Sequence, residues 1–396
     1  MKVLILCSKF PFPPNYGGAK RLISICKYLK EQGHQLDMLS FADNRPYDEL
    51  NKLKNENIFN NIELVHINFF QKIIRVLIAL YSKTPFQVSI FSSKEFKKKI
   101  AKMHENEDYN IFLHHLITTF DNSLFIPCEK VVVEMTDAIS LNYSREIQKK
   151  SSSIYSIFLK FIYYLEYKRL IQYEKKVIEN SKKTILVSNI DKKYFRELIG
   201  DELSSKIKVA SLVADEDFLS FEKNDIIPYS LVFVGKLDYQ PNEDALRWFL
   251  DNVHKKLINK YPGYQLNVIG SGLNKKVFNN FDSLSNFVYL GKIDKFKETL
   301  SRFSVSIAPM QSGAGMQTKI LDSMSLGIPV ISSELAFLPM NLEVGDGISI
   351  ANSPDEYVSE ISKYFDNPDY LKISKKLARD SMNDKFKTEK VFQAYL

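Results

Sequence analysis

Short apolar runs alternate with stretches of helical periodicity from end to end of this chain, and that alternation limits its fold more than any other feature. The runs are Val3–Cys7, Gln35–Phe41, Ile62–Ile67, Ile111–His115, Lys130–Met135, Thr184–Ser188 and Ile207–Ala210. A second series follows: Leu231–Gly235, Gln265–Gly270, Phe287–Leu290, Ser304–Pro309, Pro329–Ser332 and Ile348–Ala351. Runs of this length, bounded by Gly, Pro and Asn and separated by helical patterns, predict an α/β chain whose parallel strands are covered by helices. The two series are separated by Asp215–Pro228, a polar stretch without periodicity. We therefore expect two Rossmann-like domains facing across a cleft, over 1–215 and 228–381, with a terminal helix at 382–396 packing back on the N-terminal domain. Sheets of this kind bind ligands at the carboxyl ends of their strands.

Composition narrows the class. At 396 residues the chain exceeds one ordinary core, and 45% hydrophobic with 26% charged residues excludes wholesale disorder. Cys7, Cys26 and Cys128 are widely spaced, show no metal-binding pattern and sit in apolar runs, as buried reduced thiols do. The apolar stretch after Lys2 is too short for a signal-peptide core, and no run approaches the roughly 18 apolar residues of a membrane span. A cytoplasmic protein, soluble or peripheral on the membrane's inner face, is expected.

The formal charge of +7 is unevenly spread. Residues 69–103 carry eight basic residues against Glu95 alone, and residues 149–183 carry nine against three acids. Both segments interleave that charge with aromatic and aliphatic residues. Ile154, Ile157, Phe158, Phe161, Ile162 and Leu165 recur at helical spacing, with Lys160 and Lys168 off the stripe. Such a face suits either the core or an anionic membrane surface. No nucleic-acid motif accompanies the charge, so a nucleic-acid partner is not expected.

Two glycine-bearing junctions carry the chemistry. After the first run, Gly17 and Gly18 open a helix, where a missing Cβ lets the backbone approach a phosphate, and Lys20 and Arg21 add charge beside it. The alternative is a turn requiring positive φ. The second junction reads Gln311-Ser-Gly-Ala-Gly-Met-Gln-Thr-Lys-Ile-Leu-Asp322. A helix is predicted from near Met316, so amides at Gly315, Met316 and Gln317 would face an anionic or hydroxyl-rich ligand. Asp322 would accept from a ribose diol, and Lys319 lies one turn before it on the same face. The helix expected over Pro241–Tyr261 opens Pro-Asn-Glu-Asp, with Asn242 as the candidate cap, and buries Ala245, Trp248, Phe249 and Val253.

The second junction resembles the donor-binding signature of glycosyltransferase family four, in the branch associated with exopolysaccharide and exosortase gene clusters. The likeness extends to Gly235–Phe249, the opening Pro-Phe-Pro-Pro-Asn-Tyr-Gly-Gly, Val187-Ser188, Val133–Ser140 and Tyr173-Glu-Lys-Lys, in family order. It implies a retaining, metal-independent GT-B enzyme that moves a sugar from a nucleotide donor to a glycan or polyprenyl-diphosphate-linked acceptor in surface-polysaccharide assembly. No cofactor is implied beyond the nucleotide-sugar substrate. By resemblance, Gly18 meets the donor diphosphate, Lys236 sits against the phosphates, and Asp322 is the second acid of the family's Glu, seven residues, Glu motif. Ser271, Gly272, Lys292 and Ile293 fall in loops lining the base pocket, while His115 and Asp137 fall at strand ends facing the reacting sugar. Three departures stand out. The first motif acid aligns with Ala314, the second is Asp rather than Glu, and the second basic residue aligns with Pro241, leaving Lys319 as its replacement. Asp215-Glu-Asp217 looks like the metal site of other transferases but lacks companion ligands, so no metal is expected. The rival readings are a GT-B sugar-nucleotide epimerase and a non-catalytic GT-B scaffold for nucleotide-sugar or lipid.

Overall fold

The computed structural model describes the chain apart from residues 15–16, 43–45, 149–153, 223–224, 274–284 and 314, and the side chains of 154–159. Ala314 and the side chains of Ile154, Ile157 and Phe158 thus lie outside the described residues. Two compact units form: Met1–Ala210 with Phe392–Leu396, and Ser211–Val391.

The first unit holds β1 (Lys2–Cys7), β2 (Gln35–Ala42), β3 (Asn61–His66), β4 (Ile111–His115), β5 (Val131–Thr136), β6 (Lys183–Leu186) and β7 (Ile207–Val209). The second holds β8 (Ile227–Val234), β9 (Gln265–Ile269), β10 (Phe287–Gly291), β11 (Phe303–Ala308), β12 (Val330–Ser332) and β13 (Ile348–Ile350). Every predicted run is a strand, displaced by a few residues at most. The sheet orders are β3-β2-β1-β4-β5-β6-β7 and β10-β9-β8-β11-β12-β13, and the pairings are parallel. In each sheet the order reverses at the first strand, β1 beside β4 and β8 beside β11, which opens a crevice at the strands' carboxyl ends. Leu4, Leu6, Phe41, Phe112 and Val133 lie in the first core, and Leu231, Phe233, Phe249, Val268 and Ile307 in the second. Continuous burial along β1, β4 and β11 is what a sheet covered on both faces requires.

Several local expectations need correction. Residues 382–396 are not one helix: the helix Pro368–Lys385 ends at Phe386, whose carbonyl accepts from Ala214 N at 2.9 Å, and a short helix restarts at Thr388–Phe392. Over 241–261 the helix begins at Gln240 with Tyr239 as its cap, and a π turn at Leu250–His254 interrupts it. Asn242 does not cap; its side chain turns inward. Cys7 and Cys26 are buried as expected, but Cys128 is half-exposed at a 3-10 turn before β5 rather than buried. In the helix Ile154–Glu179, Phe161 and Leu165 are exposed, and the covered side is Glu166, Leu170, Tyr173, Glu174 and Val177.

Candidate functional site

In the second unit, three loops at one end of the sheet are locked together by backbone bonds. Gly235 N donates to Ile269 O (2.9 Å), Leu237 N to Ser271 O (2.8 Å) and Gly270 N to Gly291 O (2.9 Å). Here the glycines are required by space as well as by dihedral angle. Gly270 has φ +146°, and an added Cβ would sit 1.9 Å from Gly235 O. At Gly272, φ is +87° and a Cβ would approach Asp238 N at 2.8 Å. Such contacts exclude any larger residue. The locked loops bring Lys236, Ser271, Gly272, Lys292 and Ile293 to the carboxyl ends of β8, β9 and β10. Lys236 is exposed and pairs with Asp238 (3.3 Å). Lys292 is exposed, while Ile293 packs against the cluster containing Val232 and Ile269.

The loop after β11 joins this group. Gly313 and Gly315 take φ of +112° and +80°, and a Cβ on Gly313 would lie 3.6 Å from Pro241 Cβ. The helix that follows spans Thr318–Ser325, two residues later than expected. The Gln317 amide points at Met340 Sδ (3.4 Å), so it is not free for a ligand in this conformation. Met316 lends its sulfur to Leu212 N (3.4 Å). Asp322 is half-buried one turn further along the helix.

Lys319, which the sequence offers as the replacement for the missing second basic residue, lies inside the unit rather than on its surface. It is buried, only 8% exposed. Its Nζ donates to Asn242 Oδ1 (2.6 Å), lies 3.5 Å from Met310 Sδ and stands 4.9 Å from the centroid of the Phe233 ring. Asn242 Nδ2 in turn donates to Lys236 O (2.9 Å), tying the ammonium to the loop after β8. No carboxylate is among its partners in the described residues. Burial alone pushes its pKa down from 10.5 to about 8. A cation held dry without an acid is poised for an anionic ligand.

In the first unit, Gly17 and Gly18 open the helix Gly17–Glu31 and are not among the residues with positive φ. A Cβ on Gly17 would meet nothing within 4 Å, so no described neighbour requires glycine there. Arg21 lies inside. Its Nε donates to Glu134 Oε1, and its Nη2 to Ala210 O (2.7 Å) and Tyr395 Oη (3.2 Å). His115 Nδ1 lies 3.0 Å from the other Glu134 oxygen. Arg21 and His115 thus converge on one buried carboxylate, whose pKa is brought to about 2 against its burial by the Arg21 charge and by the His115 contact. His114 faces other partners, Thr119 Oγ1 (2.8 Å) and Ser123 Oγ (2.7 Å), and burial takes its pKa down to about 3.

Asp137 follows Thr136, a left-handed residue with φ +68°. Burial first, and then the nearby Asp191, raise its pKa to about 6. Two acids missed at the sequence level frame it. Glu174 accepts from Ile139 N (2.7 Å) and Ser140 N (3.3 Å), and Asp191 from Ala138 N (3.3 Å) and Ser188 Oγ (2.8 Å). They satisfy the first amides of the helix Ile139–Gln148. For Glu134 and Glu174 a signal was present: Glu134 interrupts Val-Val-Val-Glu-Met and Glu174 directly follows Tyr173, and acids in apolar surroundings are almost always paired. Asp215 caps the turn Glu216–Leu219, and Asp217 pairs with Lys297. The expected site residues are thus divided between the units: Lys236, Ser271, Gly272, Lys292, Ile293, Gly315, Met316, Gln317, Lys319 and Asp322 lie in the second, and Gly17, Gly18, Arg21, His115 and Asp137 in the first.

Known proteins match this architecture. Residues 228–367 fit the family model described as glycosyl transferases group 1. The chain is 23% identical to an uncharacterized 44.6 kDa protein in the cps region of Klebsiella pneumoniae, over 99% of this chain and 98% of that one. Among solved structures it is similar to Anabaena Alr3699/HepE in complex with UDP, with TM-score 0.66, 13% identity and 99% and 98% of the two chains covered. It is also similar to WaaG, a glycosyltransferase involved in lipopolysaccharide biosynthesis, with TM-score 0.60, 12% identity and 99% and 98% coverage. The chain therefore has the GT-B fold, and its residues 228–367 match the glycosyl transferases group 1 model.

Proposed function

We propose that this protein is a retaining glycosyltransferase that moves a sugar from a nucleotide-sugar donor to a glycan or polyprenyl-diphosphate-linked acceptor during surface-polysaccharide assembly. The observation that carries this reading is the buried ammonium of Lys319, without an acid partner among the described residues and linked through Asn242 to the Lys236 carbonyl at the end of the second sheet. Sugar transfer with retention leaves negative charge growing on the departing diphosphate. Lys319 and the exposed Lys236 offset that charge, the first from a dry site where its effect is largest. Asp322 receives the ribose hydroxyls, and the loops at Ser271–Gly272 and Lys292–Ile293 receive the base. In the first unit, Asp137, its proton affinity raised toward neutrality, orients a hydroxyl of the acceptor or sugar.

Uridine is the base to test first, because the similar Anabaena protein was solved with UDP and with UDP-glucose. A surface-glycan acceptor is supported by the likeness to the cps-region protein and to WaaG, which is involved in lipopolysaccharide biosynthesis. A thermal-shift comparison of UDP, GDP, CDP and ADP tests the donor half directly. Saturation at about a hundred times Kd should stabilise the fold by about 2.7 kcal/mol. Asp322→Ala should lose most of that shift. The absence of a shift with all four nucleotides would overturn the reading.

A further inference from the structure

The helix Phe69–Leu80 in the first unit presents its apolar side outward. Nine of its twelve residues are apolar, yet only Ala79 is buried. Phe70, Ile73, Ile74, Leu77, Ile78 and Tyr81 fall at helical spacing on one face, and all are exposed. The side turned to the protein is the one bearing Arg75, Val76 and Ala79, with Arg75 Nη1 donating to Ile90 O (2.8 Å). The helix is properly made without any cover: Asn68 and Gln71 form a reciprocal capping box at its start. A stable helix whose hydrophobic stripe faces away from its own core marks an interaction surface.

We infer that this face docks on an anionic lipid bilayer, with the helix lying in the plane of the interface. Its length is ~18 Å, well short of the ~30 Å hydrocarbon core, so it cannot cross, and no described helix is long and apolar enough to do so. Charge selects the occupant. The helix lies within the segment 69–103, whose net charge is +7, and Lys83, Lys94, Lys97 and Lys98 in it are exposed. Two copies of the chain meeting through this face would bring two such segments together, whereas anionic headgroups neutralise them. A neighbouring element extends the patch. Arg169 Nη2 reaches Leu80 O (3.4 Å), and about two turns earlier on its helix Phe161, Tyr164 and Leu165 are exposed, with Lys168 over the Tyr164 ring. Apolar rings beside exposed lysines suit the boundary between acyl chains and headgroups.

The test is sedimentation of the full chain with vesicles of phosphatidylcholine alone and of phosphatidylcholine with phosphatidylglycerol. The wild type should pellet with the anionic vesicles and remain largely free of the neutral ones. Phe70→Glu with Leu77→Glu, at positions 75% and 54% exposed, should reduce anionic-vesicle binding on the order of tenfold or more. Their nucleotide binding should stay unchanged, which keeps this test separate from the donor reading. Failure of the wild type to pellet, or equal pelleting of the variant, overturns the assignment. So does a lipid-free dimer that the same two changes dissolve, since the face would then belong to a second copy.

Discussion

Replacing Lys319 with methionine removes the buried ammonium while keeping an unbranched side chain of similar length. The fall in its pKa from 10.5 to about 8 corresponds to about 3 kcal/mol spent on keeping the charge in a dry site. Against that gain in the variant stands the Asn242 Oδ1 left without its donor, at a cost of about 1–3 kcal/mol. We predict a variant of equal or greater stability at pH 7. The pH dependence isolates the charge. Between about pH 8 and 10.5 the unfolded wild type holds more protons than the folded one, so wild-type stability rises with pH across that window. The methionine variant lacks this rise, and urea denaturation at the two ends of the window measures the difference. Turnover should move the opposite way. Loss of a charge that acts most strongly in the transition state costs about 2–4 kcal/mol, which lowers kcat about 30- to 1000-fold with little change in KM. A methionine variant with wild-type kcat refutes the reasoning and passes the role to Lys236.

Three further predictions concern the frame around the sites. Gly270→Ala forces a Cβ to within 1.9 Å of Gly235 O and should destabilise the second unit by about 3 kcal/mol or more, read as a drop in Tm. Gly17→Ala meets no neighbour and should leave Tm unchanged or raise stability by about 0.5–1 kcal/mol; reduced donor turnover in that folded variant would show that the glycine serves a ligand. Glu134→Gln removes the charge shared by Arg21 and His115 and should cost about 3–5 kcal/mol at pH 7 in chemical denaturation. Because the Glu134 pKa is lowered from 4.5 to about 2, its contribution is complete above pH 4.5 and is lost as pH falls through about 2, so the gap between wild type and variant should narrow on acidification.

The strands were legible because each is an apolar, β-rich run closed by turn residues, and such runs state their structure locally. Long-range partnerships were not. Asn242 reads as a helix cap from Pro-Asn-Glu-Asp, yet its partner Lys319 is 77 residues away. Arg21 reads as a phosphate ligand beside two glycines, but it is engaged by Glu134, 113 residues on, and by Tyr395, 374 residues on. The Gln317 amide, expected to be free, meets Met340 because the helix starts two residues late. For the helix Phe69–Leu80, periodicity discloses that a stripe exists but not which side is covered; burial decides that, and it decides for solvent.

Sugar transfer and its stereochemistry can be followed in a single assay. A UDP-sugar labelled in the sugar is incubated with the full chain, cell-envelope acceptors and excess EDTA, and label in the acceptor fraction is followed together with the anomeric configuration of the product by NMR. In the proposed mechanism Lys319 and Lys236 offset the donor charge without a metal ion, so transfer is predicted to proceed under chelation and to retain the donor's anomeric configuration. Nucleotide binding without any transfer of label, or transfer that stops with EDTA and returns with Mn²⁺, would contradict the account.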